Sequence, residues 1–394
     1  LLTAAGLDCA QAPRQGPPNI LLISMDTFRA DRLGALDADG RSLTPSLDAL
    51  AAESLVFDRA FAQANETLFS HASLFTGRPA SELGALDYFA YRLPPDTPTL
   101  AARLAQAGYR TEAVVSGGHL EPGFSLNAGF QRYVSMDNFG SFQQTTPEAL
   151  DRLELLAHGD RPFLLMVHGY DAHAPYAKPG PLFGVSTPDY QGHYLEGVRT
   201  PSLSEVIYRR RLYPDYNPIA LIGADGSDFP SPSNFEALAA YALANPHHGV
   251  DLSEADMAFI EGQYDASCTL VDFHVQRLIQ ALDELGIAEN TAVVVFSDHG
   301  EGLFDQDFFN HRFSLHDVNS HVALMLRVPG QAPAHRDTPV ALLDVTPTLL
   351  ELAGLEHRDL PGHDLLGDDS DPLRTVATES MRGELSVRSI EGRL

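Results

Sequence analysis

Short apolar runs that alternate with helical segments constrain the fold of this chain more than any other feature. Such runs of four to eight residues are typical of buried parallel strands, and three of them stand out: Asn19–Ser24, Pro162–His168 and Ala292–Phe296. A turn at Gly108 leads into a further strand that ends at Val115. Helical patterns lie between the strands, at residues 46–55, 98–107 and 253–285. We therefore predict an α/β fold with a doubly wound, mostly parallel sheet sandwiched by helices.

Polar residues follow each of the three apolar runs directly. Asp26 comes after the first run, a Tyr-Asp-Ala-His segment that ends at His173 follows the second, and Asp298 with His299 follows the third. Ligands of open α/β sheets bind beyond the carboxyl ends of the strands. Each cluster alone could be a helix cap or a solvated turn. Together they predict a binding site at one edge of the sheet.

Thr67 stands in a hydroxyl-rich run between Asn65 and Arg78, where a short helix is predicted to begin just after it and to stop at Gly77. The amino terminus of a helix offers unpaired N–H groups and a positive dipole end, which suit an alkoxide nucleophile and a bound oxyanion. An ordinary helix cap is the alternative interpretation. The strand-end clusters favour the nucleophile, and we assign Ser70 in the same run to substrate contact.

Four side chains could share one cation: Asp26, Thr67, Asp298 and His299. Oxygen ligands combined with one imidazole suit Zn²⁺ or Mn²⁺ better than Ca²⁺, which prefers oxygen ligands alone. We predict one divalent metal that activates Thr67 as a nucleophile toward phosphorus or sulfur.

Further histidines could act on the substrate. We predict that His71, His173 and His311 contact an oxyanion or transfer a proton to the leaving group.

Charge limits the partners of the chain. The formal net charge is −27, with Lys178 as the only lysine, so the surface repels nucleic acid and anionic lipid. An apolar content of 44% with 20% charged residues is typical of a globular protein and predicts no stable membrane insertion. We expect a small-molecule, glycan or lipid-headgroup ester as the substrate.

Two segments differ from the α/β pattern. Residues 1–18 contain Ala10-x-Ala12, typical of a signal-peptide cleavage site, and predict a periplasmic or secreted protein, with a disordered leftover as the alternative. Residues 177–250 are rich in Pro, Gly, Ser and Tyr and predict a variable insertion or lid. The two cysteines, Cys9 and Cys268, are too few for a disulfide framework or a thiolate metal site.

An ordered set of short motifs resembles the sulfatase branch of the alkaline phosphatase superfamily. The motifs run from residue 18 to about 366: Pro18–Asp31, Thr44–Glu53, Leu74–Arg78, Asp171–Tyr176, Tyr264-Asp265, Val271-Asp272, Ser297–Glu301 and Leu360–Leu366. The resemblance implies a catalytic domain over residues 19–360. It also implies that residues 361–394 begin a C-terminal antiparallel subdomain, either reduced or truncated.

The chain departs from the sulfatase pattern at the nucleophile. Sulfatases carry a Cys or Ser that is oxidised to formylglycine, where this chain has Thr67, and His71 stands at the position of an arginine in that motif. Thr27 replaces the second Asp of a metal-binding pair, and Asp298-His299 replaces Asp-Asn. These departures resemble the phosphoester-processing relatives: phosphoglycerol and phosphoethanolamine transferases, phosphodiesterases and phosphonate monoester hydrolases.

The resemblance also implies two residues that contact the anionic group of the substrate. His119 occupies the histidine position of a Lys-x-His pair whose lysine is lost, and Arg312 falls at the position where many sulfatases have a second substrate-binding lysine.

Three functions follow from these observations. The first is a metal-dependent hydrolase or transferase of phosphate monoesters or diesters, with a covalent intermediate on Thr67. The second is a sulfatase that works without formylglycine. The third is an inactive sulfatase-like domain that binds a glycan. Intact candidate ligands at Asp26, Thr67, Asp298 and His299 favour an enzyme.

Overall fold

The structure is a computed structural model of the 394-residue chain. It describes residues 16–37, 42–84, 91–136, 139–174, 176, 254–305, 310–311, 314–367, 374–380, 384–389 and 392–393. Most of the expected signal-peptide remnant, the whole 177–250 insertion and Arg312 lie outside these residues.

A sheet of eight strands forms the centre of the fold. In chain order its strands and the short strands outside it are β1 (Asn19–Met25), β2 (Leu55–Phe57), β3 (Ala60–Phe61), β4 (Arg110–Val115), β5 (Arg132–Ser135), β6 (Phe163–Gly169), β7 (Thr291–Ser297), β8 (His321–Val322), β9 (Leu324–Arg327), β10 (Ala334–Arg336), β11 (Val340–Ala341), β12 (Thr375–Glu379), β13 (Leu385–Ser389) and β14 (Gly392–Arg393). The order across the sheet is β10-β2-β9-β7-β1-β6-β4-β5. Only β9 runs antiparallel to its neighbours, β2 and β7. The predicted mostly parallel sheet is confirmed.

Helices cover both faces of the sheet. They are α1 (Pro45–Ala51), α2 (Thr67–Thr76), α3 (Leu100–Gln106), α4 (Phe142–Ala157), α5 (Glu254–Glu284), α6 (Asp317–Ser320) and α7 (Val345–Leu352). Successive side chains of a strand point to opposite faces. Leu22 of β1 accordingly joins one core with α2, α3 and α7, while Ile23 joins a second core with α1, α4 and α5. The predicted sandwich of helices around the sheet is therefore confirmed.

The helix predicted over residues 46–55 is too long. The backbone N–H groups of Ser46 and Leu47 donate to the carboxylate of Asp272, which anchors the start of α1. The helix ends at Ala51, and Leu55 instead pairs with Leu326 in β9. A three-residue strand is too short to show a periodicity of its own, so the sequence pattern merged it with the helix.

The carboxyl-terminal residues form a small antiparallel sheet of β12, β13 and β14. Its buried Arg388 donates to the Leu315 carbonyl at 3.0 Å, to Asp317 Oδ1 at 2.8 Å and to Ser320 Oγ at 2.6 Å. Thr378 Oγ1 donates to the carbonyl of Ala62, a few residues before α2. The antiparallel sheet that the sequence predicts is present. Its hydrogen bonds connect it to the segment before α2 and to the segment from Leu315 to Ser320.

Across the described ranges, none of the helices has the length and apolarity that a membrane crossing requires.

Candidate active site

The register of the central strands brings the two candidate aspartates together. Met25, the last residue of β1, is level with Ser297 of β7 in the parallel pairing. Asp26 and Asp298, the next residues, therefore leave the sheet side by side, and both are completely buried. Asp26 continues the backbone pairing on the other side of β1, because its N–H donates to the carbonyl of Gly169 after β6.

The two oxygens of Asp298 have different surroundings. Oδ1 accepts from the backbone N–H groups of Thr27 at 3.1 Å and His299 at 2.9 Å. Oδ2 is buried and accepts no hydrogen bond from the described residues. Thr27 presents its N–H through a left-handed backbone with φ of 52°, and its carbonyl accepts from the Tyr264 hydroxyl at 2.7 Å. The loop is thus built to hold Asp298 with one oxygen available for a ligand.

Thr67 is the first residue of α2 rather than the cap before it. Glu66 occupies the cap position without a side-chain capping bond, and Gly77 ends the helix with φ of 67°, as predicted. The Thr67 hydroxyl donates to Asp26 Oδ2 at 3.0 Å and lies 3.3 Å from His299 Nε2. The first residue of a helix keeps its N–H outside the intrahelical ladder. Thr67 therefore combines a buried hydroxyl with a helix amino terminus.

Hydrogen bonding fixes the tautomer of His299. A carbonyl oxygen can only accept, so His299 Nδ1–H donates to the carbonyl of Gly300 at 3.0 Å. The lone pair of Nε2 in the neutral ring consequently faces Thr67 and Asp298, whose Oδ2 is 3.5 Å away. Burial lowers the pKa of His299, but the charges of Asp298 and Asp26 outweigh it and raise the pKa.

Three of these side chains could hold one metal ion. Asp26, Asp298 and His299 each offer one ligand atom, and these three atoms lie within 4.8 Å of one another. Burial, and after it the charge of Asp26, raises the pKa of Asp298. Two buried carboxylates repel each other in this way when no cation lies between them. The available Asp298 Oδ2 and the Nε2 lone pair of His299 fit a divalent metal, and Thr67 Oγ1 lies beside them. Mixed oxygen and nitrogen ligands suit Zn²⁺ or Mn²⁺.

Ser70 and His71 lie behind this cluster. His71 Nδ1–H donates to the Thr67 carbonyl at 2.8 Å, so Nε2 accepts from the Ser24 hydroxyl at 2.8 Å. Burial lowers the pKa of His71 to about 4, which keeps the ring neutral. The Ser70 hydroxyl donates to the carbonyl of Asp298 at 2.7 Å. These hydrogen bonds tie both residues to Thr67 and Asp298, and the substrate contacts predicted for Ser70 and His71 stay predictions.

His173 and His311 lie on another side of the cluster. The rings of His299 and His311 are 4.4 Å apart, and those of His311 and His173 are 5.4 Å apart. Nδ1–H of His173 donates to the carbonyl of Ala174 at 2.6 Å. His311 Nδ1 lies 3.2 Å from Glu301 Oε1. The structure therefore groups both predicted proton donors near the nucleophile.

Of the residues expected to contact the anion, His119 is described and Arg312 is not. His119 is half-buried, and its ring lies 5.8 Å from that of Phe139, which in turn lies 5.4 Å from His173. The predicted contacts of His119 and Arg312 with substrate stay predictions.

The sequence interpretation missed two buried residues, His168 and Glu301. His168 Nε2 lies 3.5 Å from Asp26 Oδ2. It is level with Ser24 in the β1–β6 register, so its position at a strand end was a usable signal. Burial raises the pKa of Glu301 to about 8. The segment from Ser297 to Glu301 was recognised, but nothing in the sequence pairs its glutamate with His311.

Comparison with known proteins agrees with this geometry. The family model described as sulfatase matches residues 18–355, nearly the whole region that carries the sheet and the site. The chain belongs to the sulfatase family.

Several curated sulfatases are similar to the chain. It is 27% identical to arylsulfatase K of Bos taurus over 55% of the chain and 37% of that protein. It is 25% identical to choline-sulfatase of Rhizobium meliloti (strain 1021) over 86% of the chain and 68% of that protein. The chain thus matches little more than a third of the length of the bovine sulfatase.

Two solved structures share the sulfatase fold. The phosphonate monoester hydrolase of Agrobacterium radiobacter superposes with a TM-score of 0.67 at 20% identity, covering 96% of this chain and 88% of its own. A protein solved in complex with its substrate D-glucosamine-2-N,6-O-disulfate gives a TM-score of 0.70 at 21% identity, covering 95% and 87%. At these identities the comparison establishes the fold.

Proposed function

We propose that this sulfatase-family protein is a metal-dependent hydrolase or transferase of phosphate monoesters or diesters that acts through a covalent intermediate on Thr67. One observation carries the proposal. The buried Thr67 hydroxyl lies 3.0 Å from Asp26 Oδ2 and 3.3 Å from His299 Nε2, at the amino terminus of α2. A nucleophile beside a base and a cation site is the arrangement that covalent ester cleavage requires.

Asp26, Asp298 and His299 would hold the metal, with Thr67 Oγ1 next to them. When bound, a divalent cation supplies positive charge that lowers the pKa of a neighbouring hydroxyl and neutralises phosphoryl oxygens. Zn²⁺ or Mn²⁺ suits this set of ligands.

Thr67 Oγ1 attacks phosphorus in line, and its proton passes to Asp26 Oδ2, which already accepts the hydroxyl hydrogen bond. The Oγ–P bond forms as the bond from phosphorus to the ester oxygen breaks. The leaving alkoxide takes a proton from protonated His173 or His311. The positive end of the α2 dipole stabilises the charge on the transferred group.

Water or a second alcohol then attacks the phosphorylated Thr67. The attacking water or alcohol gives its proton to the histidine that protonated the leaving group. The Oγ–P bond breaks, and Thr67 Oγ1 takes back the proton held by Asp26 Oδ2, so the enzyme returns to its starting state. Water as acceptor gives hydrolysis and an alcohol gives transfer.

Two features favour phosphate over sulfate esters. Threonine cannot be oxidised to the formylglycine on which sulfatases depend. His71 replaces the arginine of the sulfatase motif, and its lowered pKa of about 4 leaves it uncharged behind the nucleophile.

Sulfate ester hydrolysis without formylglycine is the second candidate, because the curated relatives include choline-sulfatase and arylsulfatase K. We also infer a periplasmic or secreted enzyme that acts on a small-molecule, glycan or lipid-headgroup ester. The Ala10-x-Ala12 segment and the net charge of −27 support these two inferences.

Phosphate and sulfate esters with the same leaving group, 4-nitrophenol, show which ester the enzyme prefers. Purified protein loaded with Zn²⁺ or Mn²⁺ is given 4-nitrophenyl phosphate, bis(4-nitrophenyl) phosphate and 4-nitrophenyl sulfate, and kcat/KM is measured for each. We expect a phosphate ester to react fastest. Faster turnover of the sulfate ester would establish the second candidate instead. A metal analysis that finds no bound cation would support a glycan-binding domain.

The nucleophile is tested with three variants. Thr67→Ala is expected to lower kcat by at least about a thousandfold, because no other hydroxyl can replace Oγ1. Thr67→Ser keeps the hydroxyl and should stay within roughly tenfold of the parent. Thr76→Ala is the matched control: this threonine lies on the same helix, but its hydroxyl donates to the Ala72 carbonyl. Full activity of Thr67→Ala, or the absence of a phosphorylated Thr67 peptide after rapid quenching, would overturn the mechanism.

A further inference from the structure

The buried hydroxyl of Tyr264 bonds to the backbone of the loop that follows β1. Tyr264 lies on the inward face of α5, together with Ile260 and Val271 of the same core. A buried phenol needs hydrogen-bond partners for its polar end. This one donates to the Thr27 carbonyl at 2.7 Å and accepts from the Arg29 N–H at 2.8 Å. The hydroxyl therefore bridges two backbone groups of residues 26–29, the Thr27 turn.

Thr27 itself adopts a backbone conformation that β-branched residues seldom take. Its φ of 52° lies in the left-handed region. Its N–H donates to Asp298 Oδ1 at 3.1 Å, and its hydroxyl donates to the Asp26 carbonyl at 2.8 Å. Such strain persists only where the surrounding contacts enforce it, and it concentrates at functional sites. The Tyr264 hydroxyl supplies one of these contacts.

The Thr27 turn determines how the Asp298 carboxylate is oriented. Oδ1 accepts from two N–H groups, of which one belongs to the adjacent residue His299 and the other to Thr27, at the end of a separate strand. Oδ2 lies 3.5 Å from His299 Nε2 and accepts no hydrogen bond from the described residues. Without the bond from Thr27, the carboxylate would keep the N–H of its own neighbour and could rotate more easily. The turn therefore keeps Oδ2 directed at the candidate metal site.

We propose that Tyr264 is a positioning residue of the candidate metal site. Its hydroxyl holds the Thr27 turn in the left-handed conformation, and the turn holds Asp298 Oδ2 in place for the cation. Because the contact is made to backbone groups, it does not require the cation, and it reduces the conformational freedom that the site loses on binding. The inference rests on the proposed metal-dependent function and extends the metal site to α5, a helix that carries none of the candidate ligands.

The test compares the affinity of two tyrosine variants for Zn²⁺, measured by competition with a chelating dye. Tyr264→Phe keeps the ring and removes the hydroxyl, and we expect it to raise the Kd by about tenfold, as for other residues that orient metal ligands. Tyr109→Phe is the matched control, because this buried tyrosine also donates to a backbone carbonyl, that of Pro18, at the end of β1 away from Asp26. Its Kd should stay within about twofold of the parent value. Urea unfolding of the metal-free proteins shows that both variants fold.

A double-mutant cycle tests the route through Thr27. Glycine adopts a φ near 52° without strain, so the turn of a Thr27→Gly protein depends less on the Tyr264 hydroxyl. The effect of Tyr264→Phe on the Kd should therefore shrink from about tenfold to within about threefold in the Thr27→Gly background. Backbone amide exchange at residues 26–29 should also be faster in metal-free Tyr264→Phe than in the metal-free parent. An undiminished effect on the Kd, or unchanged amide exchange, would overturn the inference.

Failure of this inference differs from failure of the proposed function. A parent protein that binds Zn²⁺ and a Tyr264→Phe variant that binds it equally well overturn the positioning role alone. Zn²⁺ binding that depends on Tyr264, with phosphate esters inert, supports the positioning role and rejects phosphate ester cleavage. A parent protein that binds neither Zn²⁺ nor Mn²⁺ overturns the metal-dependent function and the positioning role together.

Discussion

Two charged clusters follow β1 within a few residues of each other, and their carboxylates differ in exposure and in partners. Asp31 and Asp305 of the first have side chains that are 46% and 32% exposed, whereas Asp26 and Asp298 of the second are completely buried. In the arginine cluster, Arg29 donates to Asp31 and Asp305, and Arg32 donates to Asp265. In the metal cluster, no arginine among the described residues pairs with Asp26 or Asp298. The Thr67 hydroxyl and the backbone N–H of Thr27 donate to these two carboxylates, and the rings of His71 and His168 lie within 3.6 Å of them.

The pKa values reflect this difference. Burial raises the pKa of Asp31, but the hydrogen bond and charge of Arg29 outweigh it and lower the pKa. Burial and the charge of Asp26 both raise the pKa of Asp298. Arginines pair with the carboxylates of the arginine cluster, whereas Asp26, Asp298 and His299 form a candidate site for a metal ion. We propose that the first cluster stabilises the loop and that the second binds the metal.

Replacing Asp298 by Asn should produce the largest effect, on activity. The variant loses a carboxylate that no arginine compensates, so we expect loss of bound metal and a fall in kcat/KM of at least about a thousandfold. Metal content by mass spectrometry and turnover of 4-nitrophenyl phosphate measure the two effects. Asp305→Asn, in the arginine cluster, is the control and should keep its metal. A normal metal content in the Asp298 variant would remove Asp298 from the ligand set.

Replacing Arg32 by Met should instead lower stability. The side chain of Arg32 is 5% exposed and pairs with Glu261, which is 47% exposed, and with Asp265, which is 18% exposed. Breaking a fully buried pair costs about 3–5 kcal/mol, and the exposure of these partners reduces the expected loss to about 2 kcal/mol of unfolding free energy. Urea unfolding measures it, and metal content should stay unchanged. Metal loss with unchanged stability would contradict the division of roles.

The smallest effect is a pH dependence of the metal-free protein. The raised pKa of Asp298 means that its favourable contribution is present below the unfolded pKa and is lost as pH rises through the folded value. Metal-free Asp298→Asn should therefore gain stability relative to the metal-free parent as the pH rises above about 4, the ordinary pKa of an aspartate. The lowered pKa of Asp31 has the opposite sign: its contribution is present above the unfolded pKa and is lost as pH falls through the folded value.

Denaturant titrations across this pH range compare the metal-free parent, Asp298→Asn and Asp31→Asn. Parallel curves for the parent and Asp298→Asn would show that Asp298 does not titrate differently in the folded state.

The fold could be predicted because long parallel strands are apolar along their whole length. β1, β6 and β7 are fully buried and gave continuous runs, and the site residues follow them directly. Short strands such as β2 and β3 carry no such pattern. The position of Thr67 at the first helical residue also depends on tertiary contacts with Asp26 and His299, which no local rule contains.

The residues around the candidate metal site were harder to predict than its candidate ligands. Asp26, Asp298 and His299 could be recognised because each follows a strand. The pairing of Glu301 with His311 and the approach of His168 to Asp26 depend on how loops fold over the sheet edge. Sequence spacing contains no information on such contacts, because the partners come from separate segments.

Because of the C-terminal sheet, the surroundings of Thr67 form only after late parts of the chain have been synthesised. Thr67 leaves the ribosome early, yet Ala64 just before it forms a β-bridge with Glu379, and Asn65 donates to the carbonyl of His311. Arg388, made later still, fixes the segment from Leu315 to Ser320 that follows His311. Because chains fold from their amino terminus as they are made, the surroundings of Thr67 are complete only after Arg388, more than 300 residues later, has been made. A nascent chain that stops before Arg388 would thus carry the candidate nucleophile without the contacts that position it.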